Sequence, residues 1–193
     1  VKCKKVIQDH SMPSIKRSYK KVEYNTWIDE NFITIAIANY YKKDYDAALR
    51  NFEYVEKFYS NDESNYHAAI WEAKINIEEG FYTDAHLKLR SLDLIIANQK
   101  EEAEKKKGKK KKKRSKRSKK KSSKKKEPAL FPKKLIPELE KTKALLYLKK
   151  KDFKKAIFHL EKTLEATKKR KEKARIHFVI GQLSEQEGAL NKA

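Results

Sequence analysis

The sequence predicts an all-α protein in which pairs of helices stack into a repeat array, and three observations support this prediction. Lys, Glu, Ala and Leu, which favour helices, are abundant, whereas the 193 residues include only four Gly and four Pro. Small and bulky side chains recur at fixed intervals along the chain. One interval is longer than the others, and its extra length coincides with a lysine-rich stretch.

The recurrence runs through four aligned segments, at intervals of 37, 71 and 37 positions. Small residues that let the first helix of each pair approach its partner are expected at Ala36, Ala73, Ala144 and Gly181. The second helix has its own small residue at Ala48, Ala85, Ala156 and Ala193. A large residue precedes each of these alanines by three positions, at Tyr45, Tyr82, Phe153 and Leu190. The buried stripe of the second helix continues through Phe52, Leu89 and Leu160.

These positions resemble the tetratricopeptide repeat. Its large, large, small, small and aromatic positions are occupied, in order, by Phe32, Ile35, Ala36, Ala48 and Phe52. The resemblance implies an α-solenoid of helical hairpins whose first helices line a concave surface. The chain departs from the family in its interval, 37 instead of about 34, and in having Ser60 and Ala97 where each unit usually ends in Pro. A generic array of helical hairpins is the alternative.

The interval pattern divides the chain into four regions. Residues 1–23 are expected to be the tail of a preceding helix and a connection, and residues 24–98 to form repeats 1 and 2. Residues 99–131 form a lysine-rich insert, and residues 132–193 form repeats 3 and 4, with repeat 4 truncated at Ala193. Since the array has no polar capping end, the sequence is expected to be an internal fragment of a longer protein.

The insert holds most of the chain's positive charge. The formal net charge is +22. The segment from Lys100 to Glu127 contains eighteen Lys or Arg and only four Glu. Such like charges repel, and no large apolar residue precedes Leu130, so a disordered loop is predicted over 99–131. Pro128, Pro132 and Pro137 then mark the return to folded chain.

Three interpretations of the insert remain open. It is a solvated low-complexity loop, or it attaches electrostatically through Lys105–Lys126 to an acidic partner, such as a membrane surface, lipopolysaccharide or an acidic protein. The third interpretation is nucleic-acid binding or nuclear targeting. The insert has no interleaved aromatic residues on which bases could stack, which makes nucleic acid an unlikely partner.

The sequence offers no pattern typical of catalysis, so we expect a protein without enzymatic activity, metal or cofactor. No two of the five histidines lie three to five positions apart, as a helical metal pair requires. Cys3 is the only cysteine, and the four glycines form no phosphate-binding loop. No run of about 18 apolar residues is long enough to span a membrane.

The first helices of repeats 1 and 2 supply a candidate binding groove. Residues expected near the concave surface are Ile33, Ile37, Tyr40, Tyr41, His67, Ile70, Trp71 and Lys74. Aromatic residues in such a groove could anchor a peptide or a helix, because Trp and Tyr dominate binding hot spots. The alternative is that Trp71 and Tyr40 pack between the repeats.

A narrower resemblance lies in "VIQDHSM", in "EYNTWIDENFITIAIANYYKKDYDAALRNFEYVEKFY" and in "KARIHFVIGQLSEQEG". These segments are similar to the PorW/SprE family of tetratricopeptide lipoproteins in the type IX secretion and gliding machinery of Bacteroidota. The similarity covers about residues 6–98 and 134–193 and leaves out the lysine insert. It implies a lipoprotein attached to the outer membrane and facing the periplasm, which links the secretion translocon to periplasmic ring and motor components.

The function expected from the sequence is therefore that of a non-catalytic adaptor for protein partners in secretion. Two alternatives stay open. One is a basic repeat protein associated with nucleic acid or ribosomes through the lysine insert. The other is a peptide-binding tetratricopeptide adaptor of the cytoplasm.

Overall fold

The computed structural model describes residues 2–10, 28–112 and 130–188, and all of its regular structure in these ranges is helical. The helices, in chain order, are α1 Lys2–His10, α2 Ile28–Tyr41, α3 Tyr45–Phe58, α4 Glu63–Glu78, α5 Tyr82–Lys112, α6 Ile136–Lys149, α7 Phe153–Ala166 and α8 Arg170–Gln186. A short 3-10 turn, Lys133–Leu135, leads into α6. The predicted all-α class is confirmed.

Neighbouring helices pack as hairpins, and the hairpins stack. α2 packs on α3, α4 on α5 and α6 on α7, while α1 lies against α2 and α8 against α7. The first helices also pack on one another, α2 on α4 and α4 on α6. The second helices α3, α5 and α7 make no comparable backbone contact among themselves within the described ranges. Because the first helices lie closer together, they occupy the inner side of the array, as expected for a helical repeat array.

Small side chains lie where the helices approach most closely. The alanines expected at these contacts are all at most 1% exposed, namely Ala36, Ala48, Ala73, Ala85, Ala144 and Ala156. Phe52, Leu89 and Leu160 are buried beside them in three successive core clusters. Gly181 differs from its expected role, because nothing lies within 4 Å of the position that a Cβ atom would take there. The backbone therefore requires no glycine at this position.

One residue in the left-handed backbone region lies in the tight turn of each of the three described hairpins, and one follows the end of α8. These residues are Lys43, Gly80, Lys151 and Gly188, with φ of 63°, 87°, 60° and 69°. They follow the same intervals of 37, 71 and 37 as the alanines. Glycine adopts this conformation without steric cost, whereas lysine does not. Two of the three hairpin turns are therefore built on a strained residue.

An aspartate begins the second helix in two of the hairpins. The Asp44 side chain accepts a hydrogen bond from the Ala47 backbone N–H at 3.1 Å. Asp152 accepts one from the Lys155 N–H at 3.2 Å. Each carboxylate thus satisfies one of the free N–H groups at a helix start.

Polar side chains link each hairpin to the next at corresponding positions. Between the first two hairpins, Lys88 on α5 pairs with Glu56 on α3 at 3.1 Å, and it also pairs with Glu72 on α4 of its own hairpin. Between the second and third, Lys143 lies 2.6 Å from Asp93, and His159 lies nearby against α6. Glu56 and Asp93 are 37 positions apart, and both Glu72 to Lys143 and Lys88 to His159 span 71 positions. The same three points of each junction therefore hold the polar contacts.

The lysine insert differs from its predicted form at both described ends. Helix α5 continues through Lys112, so residues 99–112 are helical where a loop was expected. No proline interrupts this stretch, and Glu101 pairs with Lys105 one turn later, at 3.3 Å. At the other end, Phe131 is 8% exposed and packs on Tyr66 in the core, with ring centroids 5.2 Å apart. The rest of the insert, residues 113–129, lies outside the described residues.

Candidate partner-binding groove

An open groove of about 530 Å³ lies on the inner side of the array, between α2, α4 and the 3-10 turn before α6. The residues lining it are Asp29, Glu30, Ile33, Thr34, Ile37, Glu63, Ser64, His67, Lys134 and Leu135. They come from three separate hairpins, so the groove exists only when the repeats are stacked. Its volume is in the range of sites that hold small ligands or short peptide segments.

The apolar part of the groove comes from three branched side chains. Ile33 and Leu135 are 5% and 8% exposed and belong to two different core clusters. Ile37 is half-buried and packs on the first of these clusters. Because the groove is anchored in both cores, its walls are fixed by packing.

Carboxylates dominate the charge of the groove. Asp29 is buried at the start of α2, the exposed Glu30 follows it on the same helix, and the exposed Glu63 begins α4. Lys134 brings the opposing charge and lies 2.8 Å from Glu63. The hydrogen bond to Glu63 is the main cause that raises the pKa of Lys134, and it outweighs a small effect of burial. Lys134 is thus engaged by one of the three carboxylates.

His67 adds a neutral polar ring to the wall of the groove. Burial lowers its pKa, and the nearby positive charges of Lys74 and Lys134 lower it further against the opposing effect of Glu138. The indole N–H of Trp71 donates to Nε2 of His67 at 3.0 Å. With Nε2 acting as an acceptor, the neutral ring carries its proton on Nδ1.

An ion pair closes the inner face beyond the groove. Lys74 on α4 pairs with Glu138 on α6, and its ammonium lies 3.7 Å from the centre of the Trp71 ring. Burial lowers the pKa of Lys74 although Glu138 opposes this. For Glu138, burial acts to raise the pKa, but the charge and hydrogen bond of Lys74 outweigh it and the net direction is down. The pair therefore joins the second and third hairpins in its charged form.

Of the residues predicted for the groove, some line it, two pack between the hairpins, and the others lie elsewhere. Ile33, Ile37 and His67 line it. Trp71 is 6% exposed and packs between the hairpins, with its ring centroid 5.1 Å from Tyr40 and 6.5 Å from Phe52. The packing alternative for Trp71 and Tyr40 is thus the one that the structure supports.

The remaining predicted residues lie away from the groove lining. Ile70 is fully buried in the core cluster that α4 shares with α5. Tyr41 is 73% exposed at the end of α2, beside Trp71. Lys74 is held by Glu138, as described above. None of these three is among the residues that line the groove.

Sequence reasoning missed the polar lining of the groove. Asp29, Ser64 and Lys134 lie at the starts of three different helical elements. The repeat pattern concerns small and large apolar residues that pack between helices, and it contains no signal for polar residues at the starts of the first helices. Only the stacking of the hairpins, which places the starts of successive first helices side by side, brings these polar residues to one groove.

No helix in residues 2–10, 28–112 and 130–188 is long and apolar enough to cross a membrane. Within the same ranges, no group of three His, Cys, Asp or Glu side chains is arranged to hold a metal ion.

Comparisons with protein families and with curated proteins gave no match to the chain. Its resemblance to tetratricopeptide proteins therefore depends on the residues described above and on the stacked hairpins that they form.

Proposed function

We propose that the chain is a non-catalytic scaffold of the tetratricopeptide type that holds a protein partner in the groove between its first helices. The observation behind this proposal is the groove itself, which three hairpins build together. It combines branched apolar side chains with a few polar groups, as ligand-binding sites do.

Support for the tetratricopeptide type comes from the register of the hairpins. Buried alanines, left-handed turn residues and polar links between hairpins all follow the intervals of 37 and 71 residues. Since unrelated features share one register, each hairpin is a copy of the same unit. The first helices on the inner side then correspond to the binding surface of that family.

The resemblance to the PorW/SprE family suggests where such a scaffold acts. We propose a role in type IX protein secretion and gliding, on the periplasmic side of the outer membrane, with partners among the translocon, ring and motor proteins. Cytoplasmic peptide binding is the competing proposal.

Photo-crosslinking in the native organism tests both levels of the proposal. A photoreactive amino acid replaces Thr34, an exposed residue of the groove, and in a matched control it replaces Leu94, an exposed residue of α5. We expect a protein adduct from position 34 and none from position 94. Adducts from both positions alike, or from neither, would contradict the scaffold proposal. An adduct with cytoplasmic proteins alone would contradict only the proposed role in secretion.

A second candidate function concerns the lysine-rich end of α5. Residues 100–105 are exposed, and lysines dominate the sequence beyond them. We propose that it makes a salt-sensitive contact with an acidic surface. Co-sedimentation with anionic vesicles should fall steeply between about 0.05 and 0.5 M salt, and replacement of the lysines at 105–126 by Gln should abolish it. Sedimentation that is unchanged both by added salt and by the replacement of the lysines would contradict this candidate.

A further inference from the structure

We infer that the groove takes an extended peptide segment in which a lysine or arginine side chain lies beside an apolar one, and that Asp29 and Ser64 accept hydrogen bonds from that basic side chain. This inference rests on the proposed scaffold function and specifies the chemistry of the partner. It concerns the acidic end of the groove, which the sequence did not predict.

Two buried acceptors in the groove lack a hydrogen-bond partner. Oδ1 of Asp29 and Oγ of Ser64 are both buried without a partner in the described part of the chain. The two residues are 6% and 8% exposed, and both line the groove. A buried polar atom without a partner loses the hydrogen bonds that it made with water in the unfolded chain. Such atoms mark the place where a donor from another molecule would restore the missing hydrogen bonds.

A cationic donor fits these atoms best. A carboxylate oxygen can only accept, and its strongest partners are ammonium and guanidinium groups. Asp29 is also the more buried of the two acceptors, and a buried carboxylate gains most from an opposite charge that arrives with its own hydrogen bonds.

The surrounding charges favour the same kind of donor. Glu63 engages Lys134 at 2.8 Å, while neither Asp29 nor Glu30 forms an ion pair in the described ranges. His67 adds no positive charge, because burial and its neighbours lower its pKa and its Nε2 already accepts a hydrogen bond. The groove is therefore locally negative in a chain of net charge +22.

The apolar side chains set the second requirement on the partner. Ile33, Ile37 and Leu135 continue the groove from its acidic end along the inner face. A segment that follows this path places a basic side chain near Asp29 and an apolar side chain against the isoleucines. A free cation would leave the apolar part uncovered, so a peptide is the better occupant.

Selection from a phage-displayed library of random heptapeptides tests the inference on the full chain. Polyglutamate is added at about 0.15 M salt so that it occupies the lysine-rich stretch, which would otherwise collect acidic peptides. We expect the enriched peptides to contain Lys or Arg next to an apolar residue. The positive net charge of the chain would by itself enrich acidic peptides, so enrichment of basic peptides points to the groove.

Binding of the enriched peptide to variants then locates the site. Asp29→Asn should weaken binding roughly tenfold or more, and Ser64→Ala by a smaller factor. Asp84→Asn, on the exposed face of α5, is the matched control and should leave binding unchanged. Thermal melting checks that each variant is folded. If Asp29→Asn melts well below the wild type, Glu30→Gln replaces it as the measure of groove charge.

The outcomes separate the inference from the scaffold function. Thr34→Trp fills the groove from an exposed position and should abolish peptide binding. In a different outcome, Thr34→Trp abolishes binding while the bound peptides show no preference for basic residues, or while the charge variants bind as the wild type does. Either result overturns the inference and leaves the proposed scaffold function in place. Binding that is insensitive to Thr34→Trp, or no enrichment at all, overturns both.

Discussion

The backbone N–H of Phe131 donates a hydrogen bond to the side-chain carbonyl of Gln99 at 2.8 Å, although 32 residues separate them in the chain. Gln99 lies on α5, and Phe131 packs into the core just before α6 begins. The chain therefore leaves the stacked hairpins and returns to them at almost the same point. The insert consequently closes on itself, and α6 stacks on α4 as it would without the insert.

Removal of the insert should leave the fold intact. We expect a six-residue Gly/Ser linker in place of residues 101–129 to give an equal or slightly higher melting temperature, because a shorter loop costs less entropy to close. Circular dichroism during heating provides the measurement. In the shortened chain, Gln99→Ala should lower the melting temperature by a few degrees, since the buried N–H of Phe131 loses its partner. A large loss of stability on shortening would show that the insert packs on the hairpins.

Replacement of Lys43 by Gly should stabilise the first hairpin. At a φ of 63° the lysine side chain is strained, and glycine relieves this strain for a gain of about 0.5–1 kcal/mol. Urea denaturation measures the free energy of unfolding. Lys43→Ala is the control, because it removes the charge but keeps the strain, and it should change stability little. An equal gain from both variants would instead assign the effect to charge.

Replacement of Ala85 by Leu should destabilise the stack by about 1–3 kcal/mol, because the side chain is fully buried where α5 meets α4. A chain of this length should lose about 2–4 °C in melting temperature per kcal/mol. Ala97→Leu makes the same change at an exposed position of the same helix and should be nearly neutral. Equal losses from both variants would mean that the position of Ala85 is not tightly packed.

Glu140 should stabilise the third hairpin in a pH-dependent way. Its burial alone would raise the pKa, but hydrogen bonds and charge from His159 and Lys143, at 2.7 and 2.8 Å, lower the pKa to about 2. A carboxylate whose pKa is lower in the folded state stabilises fully above its unfolded pKa, about 4.3. That stabilisation is lost as the pH falls from there towards 2.

The test of this pH dependence compares the wild type with Glu140→Gln. At pH 7 the variant should be less stable by about 2 kcal/mol, and the difference should shrink as the pH falls from about 4.5 to 2. Glu161→Gln, at an exposed position of α7, is the control and should show no such change. A difference between wild type and Glu140→Gln that stays constant down to pH 2 would contradict the assigned role of the carboxylate.

Much of the fold could be predicted because the pattern of small residues reports directly on helix packing. Ala48 and Ala85 are buried because two backbones approach each other there, and any larger side chain would separate them. The turn residues could also have been found. Lys43 and Lys151 align with Gly80 and Gly188, and glycine at two of four equivalent positions indicates a left-handed backbone.

The candidate site was less accessible to sequence reasoning. A tryptophan on the first helix of a hairpin can point towards the groove or towards the next helix, and Trp71 is large and apolar enough for either. Asp29 and Ser64 line the same groove only because two hairpins stack, so neither residue carries a local signal. The helical part of the insert was missed for another reason. Lysine is a good helix former, and over residues 99–112 its intrinsic helix propensity outweighs the repulsion between like charges.

The polar contacts between hairpins bear on how such a chain can change its length during evolution. Both junctions receive a carboxylate from the preceding hairpin, Glu56 in one and Asp93 in the other. Either carboxylate could meet the basic groups of the third hairpin, and either could meet Lys88. Unequal recombination that deletes or duplicates one whole unit would thus join ends that still attract each other. The number of hairpins can therefore drift between descendants while each surviving junction keeps a carboxylate of this kind opposite a basic group.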